Sequence, residues 1–115
     1  MISFLAKSVR ETLEEAFPNT LINDEEYINY KGQRLFFDFY LPSLKIYVEV
    51  QGIQHTEFNR HFHSDAAAFR AAKLRDRLKV EWCHLNDFTL VIINYDEVPI
   101  SAADLLQKIT GAQDG

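Results

Sequence analysis

Two short apolar runs that each carry one acidic residue constrain this chain most. Residues 34–40 and 44–50 are rich in aromatic and β-branched side chains and are predicted to be strands, with Asp38 inside the first and Glu49 inside the second. Burying a carboxylate in an otherwise apolar strand costs free energy unless something pairs with it. Because a short turn at residues 41–43 joins the strands, we expect the two carboxylates to lie close together and to share a partner. The usual partner of such a pair is a metal ion.

The composition indicates one folded domain. The chain has 115 residues, of which 47% are hydrophobic and 13% aromatic, so we expect a single domain over residues 1–110 and a frayed tail over residues 111–115. The sequence has no run of 18 apolar residues, so we expect no membrane span. The N-terminal residues lack the pattern of a signal peptide. Cys83 is the single cysteine, which favours a reducing, intracellular, cytoplasmic location.

Charge is distributed unevenly along the chain. The formal net charge is −5, but residues 60–79 carry six basic and two acidic side chains and therefore have a net charge of +4. Such a segment is either a solvated helix face or a surface that attracts a polyanion such as DNA.

The periodicities predict an α/β fold in the order α-β-β-β-α-β-α. Helices are expected over residues 3–17, from a cap at Ser64 to about Leu85, and from Ser101 to about Ile109. Strands are expected over residues 27–30, 34–40, 44–50 and 88–95, with a hairpin turn at residues 31–33 and a last strand buried on both faces. The result is a mixed four-stranded sheet flanked by helices.

The segment around Glu49 carries the remaining motif. Side chains alternate along a strand, so Glu49 and Gln51 share one face of the sheet. Gly52 ends the strand, and His55 follows six residues after Glu49. This layout of Asp, turn, Glu-x-Gln-Gly and His resembles the PD-(D/E)xK nuclease superfamily. It is most similar to the branch that holds the very-short-patch repair endonucleases and the phage homing endonucleases called EDxHD.

The resemblance implies a restriction-endonuclease-like αβββαβ core and Mg²⁺-dependent cleavage of double-stranded DNA, with Mn²⁺ as a substitute ion. Asp38, Glu49 and the carbonyl of Val50 would hold the metal. The family usually has Lys two residues after the Glu, where it holds the attacking water and the scissile phosphate. Gln51 stands there instead and brings no charge. His55 would act as the base, since an imidazole can take a proton near neutral pH.

Asp76 is the fourth candidate catalytic residue. It falls within a predicted apolar stripe of the long helix (Phe69, Ala72, Val80 and Cys83), beside a second stripe (Leu74, Leu78, Trp82 and Leu85). It resembles the last Asp of EDxHD, which would orient His55 or reach the water bound to the metal. The alternative is an ion pair with Lys73 or Lys79 one helical turn away.

Other assignments stay open at this stage. His61 or His63 could exchange roles with His55, or form a zinc site with Cys83 and His84, although the spacing fits no standard zinc pattern. Aligning the first helix with the family puts its Glu near Ala6, and Glu11, Glu14 and Glu15 are poorly aimed to replace it. The predicted DNA-binding side chains are Arg60, His61, His63, Arg70, Lys73, Arg77 and Lys79.

The sequence therefore predicts the catalytic domain of a homing endonuclease of phage or bacterial origin that would need a homodimer partner or an appended DNA-binding region. Two alternatives fit the same residues. One is a nuclease fold that binds nucleic acid after losing its catalytic activity, and the other is an RNA-processing nuclease.

If Asp76 orients His55, the two act as one unit. Losing His55 should then slow cleavage on the order of 10²–10⁴-fold, and removing Asp76 as well should add little. Cleavage rates of the two single variants and the double variant measure this coupling. Full additivity would return Asp76 to the ion-pair role.

Overall fold

The computed structural model describes residues 3–52 and 66–114, which form a mixed sheet between two layers of helices. The elements are, in chain order, α1 (Phe4–Ala16), β1 (Asn23–Tyr30), β2 (Gln33–Leu41), β3 (Ile46–Gln51), α2 (Ala66–Leu85), β4 (Thr89–Asn94) and α3 (Ala102–Asp114). The predicted α/β class, element order and four-stranded mixed sheet are confirmed. Within these residues no helix is both long enough and apolar enough to cross a membrane.

Side-chain caps fix where two of the helices begin. The Ser3 hydroxyl accepts a hydrogen bond from the Ala6 amide at 3.1 Å, and the Ser101 hydroxyl accepts one from the Asp104 amide at the same distance. Each cap satisfies an amide that the first helical turn leaves without a partner. At its other end α3 continues to Asp114, beyond the predicted end near Ile109.

The sheet has the order β1-β2-β3-β4, antiparallel for the first three strands and parallel between β3 and β4. Lys31 and Gly32 both have positive φ, 50° and 74°, as the two-residue type I′ hairpin turn requires. A parallel pair needs a crossover connection, and α2 belongs to it. β4 is an edge strand in which Val91 is buried and Leu90 only half-buried, so the prediction of burial on both faces is wrong.

Each face of the sheet has its own core. On one face α1 and α3 pack on the aliphatic side chains of β3 and β4, including Val48 and Val91. On the other face α2 covers an aromatic cluster in which Tyr47 lies 4.3 Å from Phe37 and 5.6 Å from Trp82 between ring centroids. Glu49 extends from the same face as Tyr47, beneath α2.

β2 changes face at Asp38. Phe37 belongs to the aromatic core and Phe39 to the aliphatic core, although residues two apart normally share a face. The ladder between β2 and β3 begins at Phe39 paired with Val48, and Glu25, opposite Asp38 on β1, has a φ of 53°. No residue is inserted in either strand here, since Asp24 pairs with Phe39 and Glu26 with Phe37, so the change of face comes from the local backbone conformation. It places Asp38 at the end of the ladder.

The loop after β4 supplies a test of the surface electrostatics. The Glu97 carboxylate accepts hydrogen bonds from the Lys108 ammonium and the Asn94 amide, both at 2.9 Å, and these contacts lower its pKa below the usual 4.5. Stability from a lowered carboxylate pKa is present above the unfolded-state pKa and is lost as the pH falls through the folded-state value.

Glu97→Gln should therefore lower the free energy of unfolding at pH 7, by less than about 1 kcal/mol because the pair is partly exposed. At about pH 3 the difference from the wild type should shrink. Urea unfolding at both pH values measures it, and an equal loss at both would contradict the assignment.

Candidate functional site

Asp38 and Glu49 lie together where β2 and β3 stop pairing. The Asp38 amide donates a hydrogen bond to Glu49 Oε1 at 3.3 Å, and the Val50 amide donates one to Asp38 Oδ2 at 2.8 Å. Each acid therefore bonds to the backbone of the opposite strand, and the two side chains continue the ladder beyond the pair of Phe39 and Val48. The expectation that both acids meet at one point on neighbouring antiparallel strands agrees with these contacts.

Lys79 is the partner of Glu49 that the sequence analysis missed. Its Nζ lies 2.9 Å from Glu49 Oε2, and both residues are buried, with 8% and 4% of their surfaces exposed. The sequence analysis had placed Lys79 on a DNA-binding surface or beside Asp76. Lys79 instead points inward from α2 and forms an ion pair with Glu49.

The electrostatics of this pair are set by burial. Removal from water raises the pKa of Glu49 to about 7, the ammonium of Lys79 opposes that rise, and the neighbouring charge of Asp38 adds to it. The negative charge on Glu49 therefore depends on a nearby cation for its stabilisation. A carboxylate of this kind is typical of functional sites as well as of structural ion pairs.

A cavity of about 170 Å³ lies beside the pair. Gln51 and Asp76 line it together with Glu49 and Lys79, so the sheet and α2 bring four of the candidate polar residues to one place. Gln51 shares the face of Glu49, as the alternation along β3 predicts. The remaining lining side chains are Arg77, Val80, Leu90 and Ile92.

The buried face of α2 differs from the predicted stripes. Val80 is 51% exposed and Leu85 is 63% exposed, whereas Leu78, Lys79 and Cys83 are buried. Both predicted stripes therefore misplace part of the helix, because the helix turns its Lys79 side toward the sheet. The signal was present in the sequence, since Lys79 precedes Cys83 by four residues and so falls on the same face.

Several predicted residues lie outside the described residues, namely His55, Arg60, His61, His63 and the cap Ser64. Of the predicted DNA-binding residues within α2, Arg70 and Arg77 are exposed, and Lys73 Nζ lies 5.5 Å from the centre of the Phe69 ring.

The first helix contributes no acid to the cluster. Glu11, Glu14 and Glu15 are exposed, and Ala6, where the family Glu was expected, is buried in the aliphatic core. That core lies on the face of the sheet opposite α2. The structure therefore places no acidic side chain of α1 where the resemblance would put the first Glu of the family.

The donor atoms at this site fit a hard divalent cation better than zinc. Two carboxylates are present, while the described residues contain no group of three His, Cys, Asp or Glu side chains that could hold a metal. Mg²⁺ suits such a site because it accepts backbone oxygen and retains several waters. At the alternative zinc site, Cys83 is buried and burial raises the pKa of its thiol to about 12, while His61 and His63 lie outside the described residues.

Comparison with known proteins finds relatives in viruses. The chain is 37% identical over 95 residues to "Uncharacterized protein 307L" of Invertebrate iridescent virus 6, and 33% identical over 92 residues to "Uncharacterized protein 033L" of Invertebrate iridescent virus 3. These alignments cover 83% and 80% of the chain, but 46% and 45% of the relatives. The chain thus spans about half the length of both. No protein-family model and no solved structure matches it.

Two of the Lys–Glu pairs among the described residues should differ in energetic coupling. The Glu49–Lys79 and Glu97–Lys108 contacts are both 2.9 Å long, but the first is buried and the second about one third exposed. Removing one partner of the buried pair leaves an uncompensated buried charge, so Lys79→Met should cost about 3 kcal/mol.

Glu49→Gln combined with Lys79→Met should recover much of that loss, whereas the matched cycle of Glu97→Gln and Lys108→Met should show coupling below about 1 kcal/mol. Chemical unfolding of both variant sets without added metal provides the comparison. Equal coupling in the two pairs would show that the burial of Glu49 is without energetic consequence.

Proposed function

We propose that this chain is a metal-dependent DNA endonuclease domain that hydrolyses phosphodiester bonds, with Mg²⁺ as its ion and Mn²⁺ as a substitute. The observation that carries the proposal is the meeting of Asp38 and Glu49 at the end of the β2–β3 ladder, with Lys79 against Glu49. Buried charges contribute little net stability, so their concentration beside a cavity favours a role in chemistry. The same proposal includes a restriction-endonuclease-like fold for the αβββαβ core.

The chain's residues divide the task by their chemistry. Asp38 and Glu49 would supply carboxylate oxygens for the cation, and the Val50 carbonyl would supply a third oxygen. When bound, the cation activates a water and stabilises the negative charge of the transferring phosphoryl group. Gln51 lines the cavity, where its amide can orient a water but cannot neutralise charge. The assignments of His55 as base and of Asp76 as its orienting partner remain predictions.

Double-stranded DNA is the proposed substrate. Arg70 and Arg77 are exposed on α2, the helix that also carries Lys79 into the site, so phosphates bound along α2 would lie near the carboxylates. Side chains of this kind release counterions from DNA, which makes binding weaken as salt rises. The two viral relatives favour a virus-encoded enzyme acting inside a cell over a bacterial one. A homing role, with a dimer partner or an appended region for site recognition, is part of the proposal.

Two observations favour an alternative in which the fold binds nucleic acid without cutting it. The Lys79 ammonium already balances the charge of Glu49, and α1 offers no acid to the site. An RNA-processing nuclease would use the same residues, so structured RNA belongs among the test substrates.

The wild-type chain should nick supercoiled plasmid with Mg²⁺ or Mn²⁺ and be inactive in EDTA. Asp38→Asn should slow cleavage by about 10³-fold or more, because the ion supplies several kcal/mol of transition-state stabilisation and loses a charged ligand. The variant should remain folded, since the amide keeps the volume and can still accept the Val50 hydrogen bond.

Two further variants serve as a control and as a graded test. Lys108→Met, on α3 across the sheet from α2, should cleave like the wild type, and Gln51→Ala should be only moderately slower. A folded wild-type chain that cuts neither DNA nor RNA with either ion, yet binds DNA, would support the non-cutting alternative instead.

A further inference from the structure

We propose that Lys79 is the catalytic cation of this site: it holds the scissile phosphate in place of the charge that Gln51 lacks, and it competes with the divalent ion for the carboxylate of Glu49. The proposal rests on the proposed function and deepens it, since it assigns a further catalytic residue to the same site.

The reaction requires positive charge at the phosphate. Hydrolysis of a phosphodiester concentrates negative charge on the phosphoryl oxygens, and positive groups that face those oxygens stabilise the transition state. Gln51 stands two residues after Glu49 and is neutral. Among the described residues that line the cavity the cations are Lys79 and Arg77, and Arg77 is exposed. Lys79 is thus the cation held inside the site.

The ammonium of Lys79 lies in an unusual position for a lysine on a helix. A lysine on a helix normally extends its four methylenes along apolar surface and leaves its charge in water. The Lys79 side chain is only 10% exposed, with its Nζ on Glu49 and 5.7 Å from the centre of the Phe37 ring. The chain places its other 2.9 Å Lys–Glu pair, Lys108 with Glu97, at the surface. Burying the first pair is not needed for stability, which buried pairs supply poorly.

Lys79 and a divalent cation would compete for Glu49. The Lys79 ammonium and a divalent cation would both use the carboxylate of Glu49, and two positive charges in a site of low dielectric constant repel each other strongly. A bound cation would therefore weaken the ion pair and free Nζ. The cavity that Lys79 lines with Gln51 lies next to that carboxylate and has a volume of about 170 Å³. A phosphate oxygen that enters this cavity would meet the freed ammonium.

One test removes the positive charge of Lys79 and then introduces a positive charge on β3. Lys79→Met should lower the rate of plasmid nicking by on the order of 10²-fold or more. The double variant Gln51→Lys with Lys79→Met should regain at least about tenfold of that loss, because it restores a cation to the same cavity. Lys108→Met removes the same kind of contact on the opposite layer and should cleave at the wild-type rate. Assays are run below the thermal midpoint of each variant.

A second readout does not depend on cleavage. Lys79→Met should bind Mn²⁺ at least as tightly as the wild type, because the competing ammonium is gone. In the wild-type protein, acetylation mapped by mass spectrometry should reach Lys79 faster with Mn²⁺ than with EDTA. Weaker Mn²⁺ binding by the variant, or protection of Lys79 that Mn²⁺ leaves unchanged, would overturn the proposal and assign Lys79 a purely structural role.

The two proposals fail in different ways. If the wild type cleaves and Lys79→Met cleaves equally fast, Lys79 is not the catalytic cation and the nuclease function stands. If the wild type cleaves no nucleic acid with any ion, the nuclease function falls. The Mn²⁺-dependent exposure of Lys79 then still shows whether the ammonium and a divalent ion compete for Glu49.

Discussion

The buried contact between Glu49 and Lys79 is the interaction on which the rest of the site depends. Removing either charge from water is costly, and burial raises the pKa of Glu49 despite the ammonium beside it. A fold that needed only stability could place apolar side chains at both positions. Keeping the charges brings a carboxylate and a cation together under a helix, next to a cavity, where electrostatic interactions are stronger than in water.

The architecture explains how these groups arrive at one point. β2 changes face at Asp38, so that its carboxylate bonds to β3 just where the regular ladder ends. The parallel pairing of β3 with β4 requires a crossover, and α2 within that crossover lies over the face that carries Glu49. The strand irregularity positions Asp38, and the crossover positions Lys79. The opposite face, covered by α1 and α3, contributes aliphatic packing and holds the sheet in place.

Much of the fold follows from local signals in the sequence. The hairpin turn at Gly32 and the alternation that puts Glu49 and Gln51 on one face are confirmed, because each depends on neighbours along the chain. Rotation of α2 and the inward aim of Lys79 were not predicted. They depend on which helix face meets the sheet, and two competing apolar stripes left that choice open. The change of face at Asp38 requires pairing with two strands at once and has no local signature.

Anomalous diffraction from crystals soaked in Mn²⁺ tests the central claim most directly, since it locates the ion and the Lys79 side chain in one measurement. The account predicts one strong peak bound by the carboxylates of Asp38 and Glu49, at ligand distances near ~2.1 Å for a small hard cation. It also predicts that Lys79 Nζ has left its 2.9 Å contact with Glu49. A peak elsewhere, or no peak with the ion pair intact at saturating Mn²⁺, would contradict the account.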